Sequence, residues 1–164
     1  MSRTAYKDRI ENIKSKNKLC KVLYFLYTYL PLVMFISYPT MLIIKAFTGF
    51  DFKLLMMVLI PASVLLVVTI IRKIVNRPRP YEKYDSPSLF ERDGIGESFP
   101  SRHTASAFVL AMSGFALNPY IGAVLLLIAA TIAFTRIITG VHYVSDVLAG
   151  MIISVGAGIT FFFL

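Results

Sequence analysis

Residues 54–71 read LLMMVLIPASVLLVVTII, a stretch that contains no charged side chain. At a helical rise of about 1.5 Å per residue, this stretch is about long enough to cross the ~30 Å hydrocarbon core of a bilayer. The whole chain is similar in character, since 57% of its 164 residues are hydrophobic, 16% are charged and the mean hydropathy is +0.71. Soluble domains of this size are far less apolar. The sequence therefore indicates an integral membrane protein with one folded domain.

Three further apolar runs, residues 22–44, 120–138 and 147–164, are also about long enough to cross the membrane. A fifth run, residues 104–117, is shorter, and it fits either a buried helix or a span whose polar start lies below the membrane surface. We count it as a fifth helix. The sequence therefore predicts an all-α fold, an integral membrane bundle of about five transmembrane helices over residues 22–164.

The residues before the first run, 1–21, hold seven of the 17 Lys and Arg. Tyr6, Ile10 and Ile13 form a weak helical stripe, which predicts an amphipathic helix at the membrane surface, although a frayed polar tail fits equally well. The charge of this segment does not fit a cleaved signal peptide, so we treat residues 1–21 as a retained, basic N-terminal surface segment. Cys20 is the only cysteine and cannot form an intrachain disulfide.

The net charge of +8 does not by itself predict nucleic-acid binding. The basic residues gather before the first apolar run and after the second, where anionic lipid headgroups and an anionic substrate would attract them. We therefore expect membrane lipids, and no nucleic acid, as partners. The sequence carries no signal for an oligomeric state.

The first of three polar clusters is RKIVNRPRP, residues 72–80, at the end of the second apolar run. Its four cations are typical of the basic flank of a membrane helix, which is the simpler interpretation. Arg72 and Arg79 would face one way if the helix continued, but the prolines end it and hold the chain extended at Arg79. A guanidinium held in this way suits bidentate binding of phosphate.

The second cluster is FPSRHT, residues 99–104. Ser101 stands where a helix N-cap is expected, after Pro100 and before a helical run. Backbone N–H groups at such a helix start bind oxyanions, and His103 lies in the same first turn. The competing interpretation is a capped helix whose histidine is only structural.

The third cluster is TRIITGVHYVSD, residues 135–146. His142 and Asp146 are four residues apart, so on a helix both lie on one face, where the carboxylate can bond one imidazole nitrogen and leave the other free. Nucleophilic and general-base chemistry require this arrangement. Because Arg136, His142 and Asp146 are costly at the ends of apolar helices unless they are paired or functional, a purely structural role is the weaker interpretation.

If the spans run in order, the three clusters meet at one face of the membrane. Three Arg, two His and one Asp then converge without an acidic cluster suited to Mg²⁺ or Ca²⁺. The sequence therefore predicts a phosphate site that requires no metal and no cofactor.

These clusters resemble the signature of the type 2 phosphatidic acid phosphatase family, which reads Lys-x6-Arg-Pro, then Pro-Ser-Gly-His, then Ser-Arg-x5-His-x3-Asp. The first part appears here as Arg72, six residues, Arg79 and Pro80. The second appears as Pro100, Ser101, Arg102 and His103, and the third as Thr135, Arg136, five residues, His142, three residues and Asp146. The resemblance covers about half of the chain, in order and with the family's internal spacing.

The resemblance implies a transmembrane phosphatase domain over residues 22–164 and a role for each matching residue. His142 would attack phosphorus and form a phosphohistidine, Asp146 would hold its tautomer, and His103 would protonate the leaving oxygen. The phosphoryl oxygens would be held by cations, a hydroxyl and backbone N–H groups, contributed by Arg72, Arg79, Ser101, Arg102 and Arg136. Three positions depart from the pattern, since Arg72 replaces Lys, Arg102 replaces Gly and Thr135 replaces Ser.

The membrane setting and the resemblance together imply a lipid phosphate as substrate. Phosphatidate, phosphatidylglycerophosphate and polyprenyl diphosphate all remain open. The loop of residues 81–97 could form a lid or side wall of the site, or be a solvated connector. A non-catalytic lipid-binding or lipid-translocating protein is the alternative, and the His142–Asp146 pair disfavours it. A soluble-substrate acid phosphatase or haloperoxidase-like enzyme shares the signature, but the continuous apolar spans disfavour it.

Two arguments conflict over which side of the membrane carries the site. Five spans place the N-terminus and His103 on one side. The seven cations of residues 1–21, against only Lys45 and Lys53 on the short opposite loop, favour the cytoplasm. The family resemblance favours an outward-facing site, and part of the basic excess serves phosphate rather than topology. We therefore expect an integral protein of the cell membrane with its site on the outer face.

Overall fold

The computed structural model describes residues 2–90 and 94–163, and within these residues the chain is helical and contains no β-strand. Its elements in chain order are α1 (Arg3–Ser15), α2 (Asn17–Thr48), α3 (Phe52–Val75), the short α4 (Pro80–Lys83), α5 (Arg102–Leu117), α6 (Pro119–Ile138), α7 (Val144–Gly158) and a final 3₁₀-helix, Ile159–Phe163. The prediction of an all-α fold is confirmed. The ends of two predicted segments, residues 1 and 164, and residues 91–93 of the 81–97 loop lie outside the described residues.

Four helical stretches in the described part of the chain are long and apolar enough to cross a membrane. They are Asn17–Thr48, Phe52–Lys83, Pro119–Ile138 and Val144–Phe163. Large apolar side chains such as Phe35, Leu66 and Leu127 are exposed on their outer faces, as expected where lipid replaces water as the solvent. The chain is therefore an integral membrane protein.

The fifth helix, α5, has 16 residues and lies at the centre of the bundle, packed against α2, α3, α6 and α7. It is rich in small residues, which let neighbouring helices approach closely. Gly150 of α7 shows how close this approach is, because a Cβ there would lie 2.8 Å from the Ser101 carbonyl oxygen. The start of α7 is thereby held against the start of α5, where two of the polar clusters lie.

The N-terminal segment is helical and packs against the bundle. Tyr6 and Ile10 of α1 are buried together with Leu23 of α2 and Leu89 of the 81–97 loop, whereas Lys7 on the other face is exposed. The predicted amphipathic surface helix is confirmed, and the alternative of a frayed tail is wrong. Because α1 ends at Ser15 and α2 begins at Asn17, the first long helix starts inside the segment predicted as residues 1–21.

Candidate active site

The three sequence clusters meet at one end of the bundle, where α3 and α6 end and α5 and α7 begin. Five of the predicted site residues are almost completely buried there, although all of them are ionisable. Their exposed fractions are 4% for Arg72, 6% for Arg79, 1% for Arg136, 3% for His142 and 0% for Asp146. Buried charges are stable only when they are paired or hydrogen-bonded, so their contacts describe what the site is built to hold.

His142 lies just before α7, and Asp146 lies in the first turn of that helix. The His142 Nδ1 atom is 3.5 Å from Asp146 Oδ2, and the Ser98 hydroxyl lies 3.4 Å from the same ring nitrogen. The predicted i, i+4 pairing is therefore present, with Ser98 beside it. A proton on Nδ1, facing these oxygens, leaves the lone pair on Nε2.

Asp146 is held by donors from three other residues. Oδ1 accepts a hydrogen bond of 2.7 Å from Arg77 Nη1, and Oδ2 accepts one from the Ser98 hydroxyl and one of 2.9 Å from the Tyr143 backbone N–H. The Asp146 carbonyl oxygen also accepts the Ser101 N–H at 2.9 Å. The carboxylate is thus fixed in position before any ligand binds.

Burial lowers the pKa of His142 from 6.5 to about 4. The hydrogen bond to Asp146 opposes this shift, while the positive charges of Arg79 and Arg72 add to it. The imidazole is therefore neutral at pH 7. A neutral imidazole next to two guanidinium groups has the protonation state that a nucleophile requires.

Arg72 and Arg79 both hold the backbone just before α5. Arg72 Nη1 donates to the Pro100 carbonyl oxygen at 3.0 Å, and Arg79 Nε donates to the Gly96 carbonyl oxygen at 3.0 Å. Arg72 Nη2 also lies 3.6 Å from Glu97. Each guanidinium retains one buried nitrogen without a hydrogen-bond partner in the described structure, Nε of Arg72 and Nη1 of Arg79. An anion between them would satisfy donors that otherwise cost about 1–3 kcal/mol each.

Ser101 is the N-cap of α5, as the sequence predicts. Its hydroxyl oxygen lies 3.5 Å from the Thr104 N–H and 3.0 Å from the Thr104 hydroxyl. Arg102, in the first turn, is exposed, whereas His103 is half-buried. The positive end of the α5 dipole lies beside the carbonyl groups that Arg72 and Arg79 hold, so this region is suited to an anion.

Arg136 and His103 both have neighbours on α2. Arg136 Nη2 donates to the Tyr27 carbonyl oxygen at 3.1 Å, and its guanidinium lies 3.9 Å from the centre of the Tyr27 ring. His103 lines an apolar cavity of about 190 Å³ between α2, α5 and α6, with Met34 and Leu110 in its wall. His142 lines a different cavity. The predicted roles of His103 in catalysis and of Arg136 in phosphate binding stay predictions.

Parts of the 81–97 loop pack against the site, whereas others, such as Asp85 and Ile95, are exposed. The Glu82 carboxylate accepts the Gly96 N–H at 2.9 Å, and the Leu89 N–H donates to the Thr139 carbonyl oxygen at 3.0 Å. Ser88 and Leu89 are buried. The loop therefore forms a side wall that connects Arg79 with the turn between α6 and α7.

Arg77 and Ser98 are the two contacts that sequence reasoning missed. Arg77 lies within the first cluster, but its spacing gives no sign that it pairs with a residue 69 positions later. Ser98 precedes the second cluster and matches no part of its pattern. Their only signal in the sequence is that each lies within three residues of a recognised motif position.

Comparisons with known proteins agree with this geometry. Residues 53–163 match the model of the PAP2 superfamily. The chain is 30% identical over 98 residues to an undecaprenyl-diphosphatase, BcrC, of Bacillus subtilis (strain 168), and covers 50% of it using 60% of its own length. It is also 36% identical over 85 residues to an acid phosphatase of Zymomonas mobilis, and this alignment covers 49% of this chain and 32% of that protein. The chain thus spans half or less of these relatives.

Two solved structures have a similar fold. LpxE of Aquifex aeolicus superposes with a TM-score of 0.69 at 28% identity, over 87% of this chain and 86% of that one. A transmembrane PAP2-type phosphatidylglycerolphosphate phosphatase of Bacillus subtilis superposes with a TM-score of 0.62 at 22% identity, over 96% of this chain and 84% of that one. The second likeness concerns the fold alone.

Proposed function

This chain belongs to the PAP2 superfamily, and we propose that it is a membrane phosphatase that removes a phosphate group from a lipid phosphate. The observation that carries the proposal is a neutral, buried His142, fixed through Asp146, beside Arg72 and Arg79, each with one buried nitrogen that lacks a partner among the described residues. This combination offers a nucleophile and a cradle for an oxyanion in one place. The undecaprenyl-diphosphatase and acid phosphatase relatives support the same reaction class.

In the proposed mechanism, the lone pair on His142 Nε2 attacks phosphorus and the bond between phosphorus and the leaving oxygen breaks. His103 gives that oxygen its proton. Asp146 stabilises the positive charge that His142 acquires, because its hydrogen-bonded carboxylate faces Nδ1. Water then attacks the phosphohistidine and gives a proton to His103, the bond between phosphorus and His142 Nε2 breaks, and inorganic phosphate leaves with neutral His142 restored.

The proposed phosphate ligands are Arg72, Arg79 and the N-terminus of α5 at Ser101, together with the exposed Arg102 and the buried Arg136. Arg72 and Arg79 have spare buried donors, so they are the strongest of these assignments. Arg136 Nη2 donates to the Tyr27 carbonyl oxygen, so its other nitrogens would be the ones that bind phosphate. No metal or cofactor takes part in this mechanism.

The decisive experiment measures phosphate release by detergent-purified protein from phosphatidate, phosphatidylglycerophosphate and a polyprenyl diphosphate, each with and without EDTA. We expect release from at least one of these lipids, unchanged by EDTA and absent in His142→Ala. The relative rates would identify the substrate class. Lipid binding without any release would instead favour a non-catalytic lipid-phosphate binding or translocating protein.

We also propose that the site faces outward across the cell membrane, with α1 on the same side. Cysteines at Ser2 and Lys83, both exposed, would be introduced one at a time in a Cys20→Ser background and probed on intact cells with an impermeant thiol reagent. Labelling of both is expected. Protection of both would place the site inside, and labelling of only one would contradict an N-terminus and a site on the same side.

A further inference from the structure

A polar cavity lies between α1, the end of α6 and the start of α7. Its volume is about 370 Å³, and its wall includes two guanidinium groups, Arg9 and Arg77, and the hydroxyl-bearing side chains of Tyr84, Tyr143 and Ser145. His142 forms part of the same wall. Of these residues, the proposed mechanism uses His142 directly and Arg77 only through its hydrogen bond to Asp146. We call this space the Arg9–Arg77 cavity.

Arg9 reaches the cavity because α1 is anchored beside it. The Tyr6 side chain is fully buried, its hydroxyl donates to the Gly140 carbonyl oxygen at 3.1 Å, and its ring stacks on Tyr84 at 5.1 Å. Gly140 has a φ of +74°, and a Cβ there would lie 2.4 Å from the Tyr6 hydroxyl oxygen. The turn before His142 is therefore shaped to receive Tyr6, and one helical turn later Arg9 is held at the cavity.

The Arg9 guanidinium is only partly bonded. Nη2 donates to the Ile137 carbonyl oxygen at 3.2 Å, whereas Nε is buried and has no hydrogen-bond partner in the described structure. Burial of an N–H group of a cation without an acceptor is unfavourable. The cavity next to it is the space from which an acceptor could approach.

Arg77 forms the opposite cation and is held rigidly. Its Nη1 donates to the Ser145 hydroxyl and to Asp146, both at 2.7 Å, and its guanidinium lies 4.0 Å from the centre of the Tyr143 ring. These bonds use a single nitrogen of the group, and the side chain is 36% exposed. The remaining N–H groups of Arg77 are thus available at the cavity side of a fixed guanidinium.

The charge of this wall favours an anion. Among the described residues that line the cavity there are two cations and no carboxylate. Both oxygens of Asp146, behind Arg77, already accept hydrogen bonds, and the Glu82 carboxylate is occupied by the Arg79 and Gly96 N–H groups. The cavity lies between the end of α6 at Ile138 and the start of α7 at Val144, where one candidate membrane span ends and the next begins.

We propose that the Arg9–Arg77 cavity is a second phosphate-binding site, distinct from the site at Arg72 and Arg79. Planar guanidinium groups bind phosphate oxygens in pairs, and the surrounding hydroxyls supply further donors. The phosphate group can belong to the headgroup of an anionic lipid or be free inorganic phosphate, because both present the same oxygens. The site requires α1, so it also assigns a function to the N-terminal segment.

The test counts phosphate sites by equilibrium binding of radiolabelled inorganic phosphate to the full chain in neutral detergent. We expect two sites in the unaltered protein. Arg79→Ala should remove one of them, and Arg9→Gln should weaken the other by about tenfold or more, as expected for the loss of one charge-assisted hydrogen bond. Lys7→Gln, an exposed cation on the same helix, is the matched control and should change neither site.

Two further variants keep the test decisive. Arg9→Lys should bind more tightly than Arg9→Gln because it keeps the charge, and Tyr6→Phe should weaken the same site by displacing α1. Unchanged phosphate affinity and stoichiometry in Arg9→Gln, with unfolding temperature also unchanged, would overturn the proposal. The second site is counted independently of catalysis, so it can stand or fall without the proposed phosphatase activity.

The two sources of phosphate are separated in lipid nanodiscs. Nanodiscs of phosphatidylcholine alone are compared with nanodiscs that also contain phosphatidylglycerol. If a lipid headgroup occupies the cavity, phosphatidylglycerol should lower the apparent affinity of the Arg9-dependent site for inorganic phosphate. If free phosphate is the ligand, the affinity should be equal in both, and either result supports the site provided that Arg9→Gln weakens phosphate binding there by about tenfold or more.

Discussion

The two sides of the proposed catalytic site differ in how completely their polar groups are bonded. On the His142 side, both Asp146 oxygens accept hydrogen bonds, from Arg77 and from Ser98 and the Tyr143 backbone. On the cation side, Arg72 and Arg79 each keep a buried nitrogen without a partner in the described structure. In the described structure one side is fully bonded, whereas the other keeps donors of the kind that bind an anion.

This difference corresponds to two separate tasks, positioning the nucleophile and binding the phosphate group. A nucleophile gains from being held in one tautomer and one orientation before substrate arrives, so bonding on its side is saturated. A phosphate cradle gains from donors whose cost of burial is relieved only when the phosphoryl group binds. Substitutions on the His142 side should therefore lower turnover alone, whereas substitutions on the cation side should lower both phosphate binding and turnover.

The largest effect is expected from His142→Ala. Loss of the nucleophile should lower the rate of phosphate release by a factor of at least about 10³, as for nucleophiles in other covalent mechanisms, while lipid-phosphate binding persists on the intact cation side. Phosphate release and lipid binding are measured on the same preparation. Normal turnover in this variant would show that the phosphohistidine assignment is wrong.

Arg79→Ala should lower the rate by about 10²–10³-fold, the range found for removal of one transition-state donor, and it should weaken binding of inorganic phosphate as well. Lys83→Ala, which removes an exposed cation from the same short helix, serves as the control and should have little effect. If Arg79→Ala lowered turnover without weakening phosphate binding, the claim that the cation side acts in both binding and turnover would be wrong.

The pH profile examines the His142 side directly. Activity requires the neutral imidazole, which persists above the folded pKa of about 4, so activity should decline only as the pH falls toward 4. The neutral fraction of an unshifted histidine would fall about fivefold between pH 6.5 and 5.5. The acid limb of kcat/KM measures this, and a limb near pH 6.5 would contradict a buried, neutral nucleophile.

Ser98→Ala should lower kcat by about tenfold, because it removes one hydrogen bond to the charged Asp146. Asp146 would then attract the His142 proton more strongly, so the acid limb should also move to higher pH. Ser88→Ala is a matched control, since Ser88 is equally buried but donates to the Phe90 carbonyl oxygen. Equal kcat and pH profiles in the two variants would assign Ser98 a purely structural role.

Much of the fold could be predicted from the sequence, because long uncharged runs in a membrane have one stable conformation. The helical periodicity of α1 was too weak to decide between a docked helix and a tail. Docking depends on Tyr6 meeting Gly140, a contact between residues 134 positions apart. The predicted pairing of His142 with Asp146 is present although His142 lies just before α7 rather than on it, since that relation is local.

The site residues that sequence reasoning missed all act across the fold. Arg77 and Ser98 reach Asp146 because the ends of α3, α5 and α7 converge, and no spacing rule within one segment describes that. The Arg136 side chain is a related case, since its contact with Tyr27 depends on how α2 packs against α6. Local motifs therefore predict which residues are present at the site, whereas tertiary packing determines their partners.

The smallest effect is expected from Arg102→Gly. Arg102 is exposed at the start of α5, and the proposed contact with phosphate there comes from backbone N–H groups, which Gly also provides. Exposed substitutions rarely change free energies by more than ~0.5 kcal/mol, so the rate should change by less than about threefold. Arg136→Ala, at a buried position, should by contrast lose most activity. A collapse of Arg102→Gly to the level of Arg79→Ala would show that the Arg102 side chain contacts the phosphoryl group. The cation side would then extend to the exposed mouth of the site, and its spare donors would not be confined to buried arginines.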